Sequence, residues 1–349
     1  MPDILTQLRS VAPDALDIPI LQPADPFLET AGEDLRRRIF ITESADGALN
    51  CLRPEFTIPI CRGHIGNGAA RYSYQGTVFR QGREGSAEFV QAGLEDIGHG
   101  DRVAADTACL GDMLVVLKAQ GAAIVRVVFG DDIFKTLIEE LSLPATVSAR
   151  LQRSFGQRDR LKALIGQMTA EAGRGLREDE SEDITSLTRQ VEGMMAMAGI
   201  SPSSGRSPAD IAARMAAKST LAHYRLSKPH ERVLRDYLSI RTPLADAADQ
   251  IEVFAEQHGM NLRTRLDRLR RRVRAMESRG IDLSTITFDA GFGRKLEYYT
   301  GMQFEVFVGG VAVGGGGRYD HLFALLGQGG DGAGVGFSIA MDRLAEATQ

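Results

Sequence analysis

The chain has 349 residues, of which 43% are hydrophobic and 25% charged, and its net charge is −5 at pH 7. These values are typical of a globular protein with a large core and more than one compact unit, and they argue against a broad basic surface for nucleic acid. The first twenty residues lack a signal-peptide pattern, and no apolar stretch approaches the roughly 20 residues that cross a bilayer. A cytoplasmic protein that does not contact membranes is therefore expected.

Short elements are predicted in the first hundred residues, where Pro and Gly interrupt the pattern. Asp17–Pro23 and Arg38–Thr42 are apolar runs suited to strands, with a helix between them at Pro26–Arg37. Tyr72–Arg80 and Ala87–Ile97 are then predicted to form a hairpin, because Gly residues lie in the turn between them.

The residue pattern in the second strand of this hairpin indicates a ligand-binding site. Strict alternation places Phe89, Gln91, Gly93 and Glu95 on one face. The amide of Gln91, the bare backbone of Gly93 and the carboxylate of Glu95 could form the floor of a binding site for a small polar ligand. Arg80 can add a cation to this site. The alternative is a solvated sheet face with one ion pair.

The middle of the chain is predicted to be mostly helical. A helix over Asp101–Gly121 places several apolar side chains on one face, and Ala123–Phe129 follows as a strand. The polar segment Leu141–Leu238 contains REDESED and SPSSGRSP and is interpreted as a helical insert. The predicted division is a domain formed by residues 1–140 and 240–349, with a helical insertion at 141–239.

Two further helices are predicted at Ala245–His258 and Leu262–Met276. The second has an apolar stripe consisting of Leu262, Leu266, Leu269, Val273 and Met276. Its other face is rich in arginine, namely Arg263, Arg265, Arg268, Arg270, Arg271, Arg272 and Arg274. Such a face is typical of a solvated helix surface, and contact with RNA phosphates or an acidic partner is the alternative.

The last seventy residues return to strands, predicted at Thr285–Asp289, Tyr298–Val308 and Val311–Val313, and again at Gly334–Ala340 before a helix. The run Gly314–Gly317 lacks the ending of a P-loop and is predicted to be a tight strand-to-helix connection.

Four segments place polar groups beside strands: LRPEFT, the Gln91/Glu95 face, GRKLEYYTG and GGGGRYDHL. Carboxylates, guanidinium groups, an amide and phenols are what a free amino acid requires, because its ammonium and carboxylate both need charged partners. The scattered histidines and the cysteines Cys51, Cys61 and Cys109 form no metal-binding or redox motif, so no metal or cofactor is expected.

These segments, with FRQGRE…EFVQAGLEDIG and the terminal GVGFSIAMDRL, resemble histidyl-tRNA synthetase in its own order. The hairpin is similar to class II synthetase motif 2 and the terminal run to motif 3. The resemblance implies an α+β fold, in which an antiparallel class II synthetase-like sheet is flanked by helices and carries the helical insertion. The nearest resemblance is to the truncated branch of that family, the regulatory subunits of ATP phosphoribosyltransferase.

Departures from the synthetase pattern fall mostly on its ATP and tRNA side. The chain ends after the motif 3 helix, so no anticodon-binding domain is expected, and the motif 2 turn is short. Phe56, Gly82, Lys295 and His321 replace other residues of the synthetase pattern. The amino-acid side matches, and the resemblance assigns histidine binding to Glu55, Thr57, Arg80, Gln91, Glu95, Arg294, Tyr298, Tyr299 and Tyr319.

The resemblance implies a non-catalytic subunit of the enzyme that joins ATP to phosphoribosyl pyrophosphate in the first step of histidine biosynthesis. Its implied partners are the short-form catalytic subunit in a hetero-octamer, a second copy of itself in a dimer, and L-histidine as feedback ligand. Two alternatives stay open. Arg294 and Arg343 match arginines that serve activation and ATP binding, which keeps a shortened synthetase or histidine-adenylating enzyme possible. The other is an assembly scaffold whose pocket is a remnant.

Overall fold

The computed structural model describes residues 3–64, 68–82, 85–123, 125–169, 184–197, 207–294, 298–327 and 332–349. The helices are α1 Ile4–Val11, α2 Asp25–Thr30, α3 Gly32–Arg36, α4 Thr57–Gly63, α5 Arg102–Ala119, α6 Ile133–Glu140, α7 Ala145–Ser154, α8 Arg158–Thr169, α9 Ile184–Met197, α10 Pro208–His223, α11 Lys228–Ser239, α12 Ala247–His258, α13 Arg263–Ser278, α14 Leu322–Leu325 and α15 Met341–Ala347. The strands are β1 Leu21–Pro23, β2 Ile41–Glu43, β3 Leu49–Leu52, β4 Ala70–Phe79, β5 Glu88–Ile97, β6 Val125–Gly130, β7 Arg241–Pro243, β8 Ile286–Asp289, β9 Gln303–Val308, β10 Val311–Arg318 and β11 Gly334–Ala340.

An eight-stranded sheet in the order β4-β5-β11-β10-β9-β6-β8-β7 is the centre of the fold. Every neighbouring pair is antiparallel except β6 and β8, which are parallel. The prediction of an α+β fold with an antiparallel sheet flanked by helices is confirmed, and the parallel pair is an addition to it. Parallel neighbours need a long crossover connection, which here runs from the end of β6 to the start of β8.

The predicted hairpin forms as β4 and β5, with Tyr72 opposite Glu95 and Gly76 opposite Gln91. Between the two strands, residues 83 and 84 lie outside the described part. The short elements of the first hundred residues are also present but smaller than predicted. The predicted helix at Pro26–Arg37 is divided into α2 and α3, since Gly32, the first residue of α3, has a positive φ of 80°.

The glycine run is a strand rather than a connection, which corrects the prediction for Gly314–Gly317. These residues belong to β10 and pair with both β9 and β11. Glycine is depleted in strands generally, so the local pattern favoured a turn. The neighbouring backbones and side chains approach these residues too closely for a Cβ, which explains the composition.

Helix α5 packs on the sheet through Cys109, Leu110, Met113 and Leu117, all fully buried as the apolar periodicity predicted. Its first turn is capped by Asp101, whose carboxylate accepts from the backbone N–H groups of Val103 and Ala104 at 3.0 Å. Helix α13 packs against α5.

The apolar stripe of α13 is buried as predicted, but one arginine assigned to its solvated face is buried as well. Arg272 is only 2% exposed. It lies three residues after Leu269 and four before Met276, so helical periodicity puts it beside the buried stripe. Its Nε donates to Asp106 Oδ2 at 2.9 Å and its Nη1 to Asp131 Oδ2 at 2.5 Å. Burial is possible because both carboxylates accept from the guanidinium group.

Contacts divide the chain into two compact units, Met1–Phe134 with Tyr237–Gln349, and Lys135–Asp236. The described part of the second unit is helical, and α9 and α10 share a small core of Leu187, Val191 and Ala212. REDESED and the first six residues of SPSSGRSP lie outside the described residues. Among the described helices, none has the length and apolar character that crossing a membrane requires.

Candidate functional site

Glu95 of β5 lies at the centre of the predicted site. Its side chain is 1% exposed. Thr57, the first residue of α4, donates from Oγ1 to Glu95 Oε1 at 2.7 Å, and the hydroxyl of Tyr319 donates to Oε2 at 2.5 Å. Burial raises the pKa of Glu95 to about 8, although the hydrogen bonds from Tyr319 and Thr57 act in the opposite direction. Three segments distant in sequence thus meet at one carboxylate.

Glu55 is buried next to Thr57 and holds the start of α4. Its Oε2 accepts from the backbone N–H of Thr57 at 2.7 Å and its Oε1 from that of Ile58 at 2.8 Å. Both interactions satisfy N–H groups that a helix start leaves without partners. Burial raises the pKa of Glu55, while these backbone donors and the charge of Arg80 lower it. Glu55 therefore has a structural role as well as being a predicted ligand.

Arg80 follows the end of β4 and brings the predicted cation to the same region. Its Nε donates to the carbonyl of Pro54 at 2.8 Å, and its guanidinium carbon lies 5.5 Å from the ring centroid of Phe89. Burial lowers the pKa of Arg80 to about 10, and the charge of Glu55 opposes that shift. The side chain remains a cation at neutral pH and is fixed by backbone and ring contacts.

Gln91 is buried and lies on the same face of β5 as Glu95, as alternation predicted. Gly93 lies between them, and its bare backbone was expected to face a ligand. In the structure a side chain of the protein itself approaches it closely. A Cβ at Gly93 would lie 2.6 Å from Cζ of Tyr74, whose hydroxyl donates across the sheet to Phe337 O at 3.1 Å. Tyr74 was absent from the predicted set, although its position opposite Gly93 follows from the hairpin register.

The three predicted tyrosines form one aromatic group. The ring centroid of Tyr298 lies 5.1 Å from that of Tyr299 and 6.1 Å from that of Tyr319. Burial raises the pKa of all three phenols, that of Tyr299 to about 12. At neutral pH they are uncharged hydroxyl groups that can donate to a ligand or to Glu95.

Arg294 is half-buried and reaches the site region from the segment before β9. Its backbone N–H donates to Gln303 Oε1 at 2.6 Å and its Nη1 to Phe304 O at 3.4 Å. Its charge acts on the pKa of both Arg80 and Tyr299. Residues 295–297, which include the departure at Lys295, lie outside the described part.

Four glycines are part of the site although the sequence analysis assigned them no role there. A Cβ at Gly315 would collide with the guanidinium group of Arg294, and one at Gly317 with the ring of Tyr299. A Cβ at Gly334 would collide with the ring of Tyr319, and one at Gly336 with the carboxylate of Glu95. Each glycine makes room for a predicted site residue. The alternation of Gly334 and Gly336 along β11 was an available signal, whereas the continuous run in β10 concealed it.

The site therefore combines buried carboxylates, guanidinium groups, an amide and neutral hydroxyls on one side of the sheet. This set can hold a zwitterionic ligand, because an ammonium pairs with a carboxylate and a carboxylate with a guanidinium group. The described residues include no group of His, Cys, Asp and Glu side chains arranged to hold a metal ion.

The shifted pKa of Glu95 makes the stability of the chain depend on pH. Its pKa is about 8 in the folded chain against 4.5 for the free side chain, so between these values only the folded state holds the proton. The free energy of unfolding is therefore expected to fall as pH rises through this window. Glu95→Gln stays uncharged, and its stability relative to wild type is expected to rise across the window by up to a few kcal/mol. Urea denaturation of both proteins from about pH 5 to about pH 9 measures this; a constant difference would contradict it.

Comparison with known proteins identifies relatives over nearly the whole chain. The family model for histidyl-tRNA synthetase matches residues 14–200 and 186–344. A protein of Brucella anthropi named ATP phosphoribosyltransferase regulatory subunit is 43% identical over 348 residues, covering 95% of this chain and 92% of that protein. A protein of the same name from Rhizobium rhizogenes is 41% identical over 359 residues, covering 99% and 96%.

Solved structures agree in fold. A structure from Bacillus halodurans, described as an ATP phosphoribosyltransferase regulatory subunit/histidyl-tRNA synthetase, has a TM-score of 0.67 at 22% identity and covers 99% of this chain and 78% of that one. Histidyl-tRNA synthetase from Nostoc has a TM-score of 0.64 at 14% identity, covering 98% and 70%. The fold is that of the class II synthetases, and by its sequence the chain belongs to the family of ATP phosphoribosyltransferase regulatory subunits.

Proposed function

We propose that this chain is a non-catalytic subunit that assembles with the short-form catalytic subunit of ATP phosphoribosyltransferase and binds L-histidine at the Glu95 site. The observation that carries the proposal is identity above 40% over almost the full length of proteins named as regulatory subunits. The chain would be required for full activity of the catalytic partner in the first step of histidine biosynthesis. It would also transmit feedback inhibition by histidine.

The chemistry of the site supports an amino acid as the ligand. Glu95 is a buried carboxylate for the α-ammonium group, and Arg80 and Arg294 are cations for the α-carboxylate. Gln91, Thr57 and the phenols can exchange directional hydrogen bonds with an imidazole. Histidine would control the assembly by binding one arrangement better, and coupling of about 1–3 kcal/mol suffices for a roughly 5–150-fold change in affinity.

Self-association is supported by the small sheet β1-β3-β2. Ile41 and Leu49 lie on one face of it and are 47% and 48% exposed. A second copy of the chain could cover these two apolar side chains, and apolar area of this kind is what protein interfaces bury. We propose a dimer of this chain as the base of a hetero-octamer with the catalytic subunit.

A second candidate function is histidine-dependent adenylation. Arg294 is close to Tyr299, and Arg343 in α15 donates from Nη1 to Ala312 O at 3.3 Å, so both arginines that match the synthetase pattern are part of the fold. Pyrophosphate exchange that requires both histidine and ATP would support this alternative. A regulatory subunit should show none above background.

Co-purification with the catalytic subunit tests the main proposal. We expect a stable complex whose transferase activity exceeds that of the catalytic subunit alone, is inhibited by histidine, and has a sedimentation mass equal to a hetero-octamer. Failure of the two chains to associate, or equal activity with and without this chain, would contradict it. Inhibition that persists in a complex built with Glu95→Ala would place the feedback site on the partner.

A further inference from the structure

A second cleft lies on the face of the sheet opposite to the Glu95 site. Along β10, Gly315 and Gly317 face Arg294 and Tyr299, whereas Arg318 points toward α5. Arg318 lines a cleft of about 410 Å³ between the start of α5 and helix α13. The cleft is lined by five arginines, namely Arg102, Arg268, Arg271, Arg272 and Arg318.

Two of these arginines form a rigid, paired floor. Asp106 accepts from Nε of Arg272 at 2.9 Å with one carboxylate oxygen and from Nε of Arg318 at 2.7 Å with the other. Asp131 contacts Arg272 and Asp320 contacts Arg318 as further partners. With two guanidinium groups and three carboxylates, the floor has no excess positive charge, and its side chains are fixed by hydrogen-bonded ion pairs.

The rim supplies the excess positive charge. The Arg102 side chain is half exposed, and its Nε lies 3.4 Å from Asp320, which Arg318 already occupies. Arg268 is half-buried and acts electrostatically on Asp132. Arg271 is exposed, and no ion pair of its side chain occurs among the described residues. The rim thus presents three guanidinium groups, and the carboxylates of Asp320, Asp132 and Asp101 offset part of their charge.

Asp101 is the acidic residue at this rim, and its carboxylate is engaged at the first turn of α5. Because it already accepts from the free N–H groups there, an incoming anion would be held by guanidinium groups rather than by the helix backbone. Guanidinium forks match phosphate oxygens in two-point contacts and are weakly hydrated. The volume is many times the roughly 30 Å³ share of one water and lies in the range of small-ligand pockets.

From this arrangement we propose that the cleft binds a small molecule carrying at least two linked phosphate groups. Two linked phosphates can pair with several of the rim arginines Arg102, Arg268 and Arg271 at once, which lone chloride or a monocarboxylate cannot do. The site is separate from the Glu95 site because the sheet lies between them. Phosphate-bearing ligands could then act on this chain independently of histidine.

Calorimetric titration of the full chain with inorganic pyrophosphate tests the proposal. We expect one binding event in wild type, weakened roughly tenfold or more in Arg271→Ala and in Arg102→Ala, because each removes a charge-assisted contact. Both side chains are exposed, so the variants should fold, and their melting temperatures check this. Inorganic phosphate should bind much more weakly than pyrophosphate.

Arg274→Ala is the matched control, because it removes an exposed arginine of the same helix that does not line the cleft. Its affinity for pyrophosphate should stay within about twofold of wild type. Absence of binding at millimolar pyrophosphate would overturn the proposal. Equal weakening in Arg274→Ala and Arg271→Ala would also overturn it, since it would show attraction to the helix surface in general.

Discussion

Glu95→Ala is expected to weaken binding of L-histidine by about 2–5 kcal/mol, a factor of roughly 30 or more, while the chain still folds. The proposed α-ammonium group would lose its buried carboxylate partner and would be left beside the hydroxyls of Thr57 and Tyr319. A buried cation without a counter-charge is costly, which is why the expected loss is large. Calorimetry at neutral pH with both proteins measures it, and unchanged affinity in the variant would remove the proposed site.

The matched control for this experiment is Glu88→Ala. Glu88 lies on the same strand but on its other face and is exposed, so histidine affinity should stay unchanged.

Release of the Glu95 proton when histidine binds is a further check of the site. With a pKa of about 8, Glu95 is mostly protonated at neutral pH, and an arriving ammonium would displace that proton. Apparent affinity should therefore rise from about pH 6 to about pH 8, and the heat of binding should depend on the buffer.

Arg272→Met is expected to lower the free energy of unfolding by about 3–5 kcal/mol. Asp106 keeps Arg318, but Asp131 loses the guanidinium group that contacts it at 2.5 Å. Burial alone would lower the pKa of Arg272, and the charges of Asp106 and Asp131 reverse that shift and raise it, so the arginine is charged in the folded chain. Removing it leaves an uncompensated carboxylate in the interior.

Urea denaturation measures the effect, with Arg274→Met as control. Arg274 is on the same helix but exposed, so its replacement should change stability by no more than about 0.5 kcal/mol. Equal stability of the two variants would show that the buried contacts contribute nothing to folding. The comparison also distinguishes the buried arginine from an exposed one on the same arginine-rich helix.

The elements with strong periodicity could be predicted from the sequence. The hairpin was found because alternation and turn glycines agree over twenty residues, and α5 and α13 because their apolar stripes continue over several turns. Arg272 was assigned to solvent because its acidic partners Asp106 and Asp131 are far away in sequence. Its pairing depends on tertiary packing, which local patterns do not contain.

In the site, too, features within one strand could be predicted from the sequence, whereas contacts between distant segments could not. Gln91 and Glu95 share a face because one strand fixes them, and this followed from alternation. The meeting of Thr57, Glu95 and Tyr319 rests on three segments and came only from family resemblance. That Glu55 holds a helix start, and that Tyr74 fills the space at Gly93, could not be predicted from the sequence, because both depend on where a side chain meets a backbone in the folded chain.

The glycines of β10 and β11 limit which positions of this site can be varied in directed evolution. A library that varies only the polar lining would explore new ligands, whereas even one added methyl at Gly315, Gly317, Gly334 or Gly336 would displace a guanidinium group, a phenol or a carboxylate. In deep mutational scanning, substitutions at these four positions are then expected to be deleterious, although a glycine has no side chain that could contact the ligand. Redesign of ligand preference is best confined to the residues they accommodate.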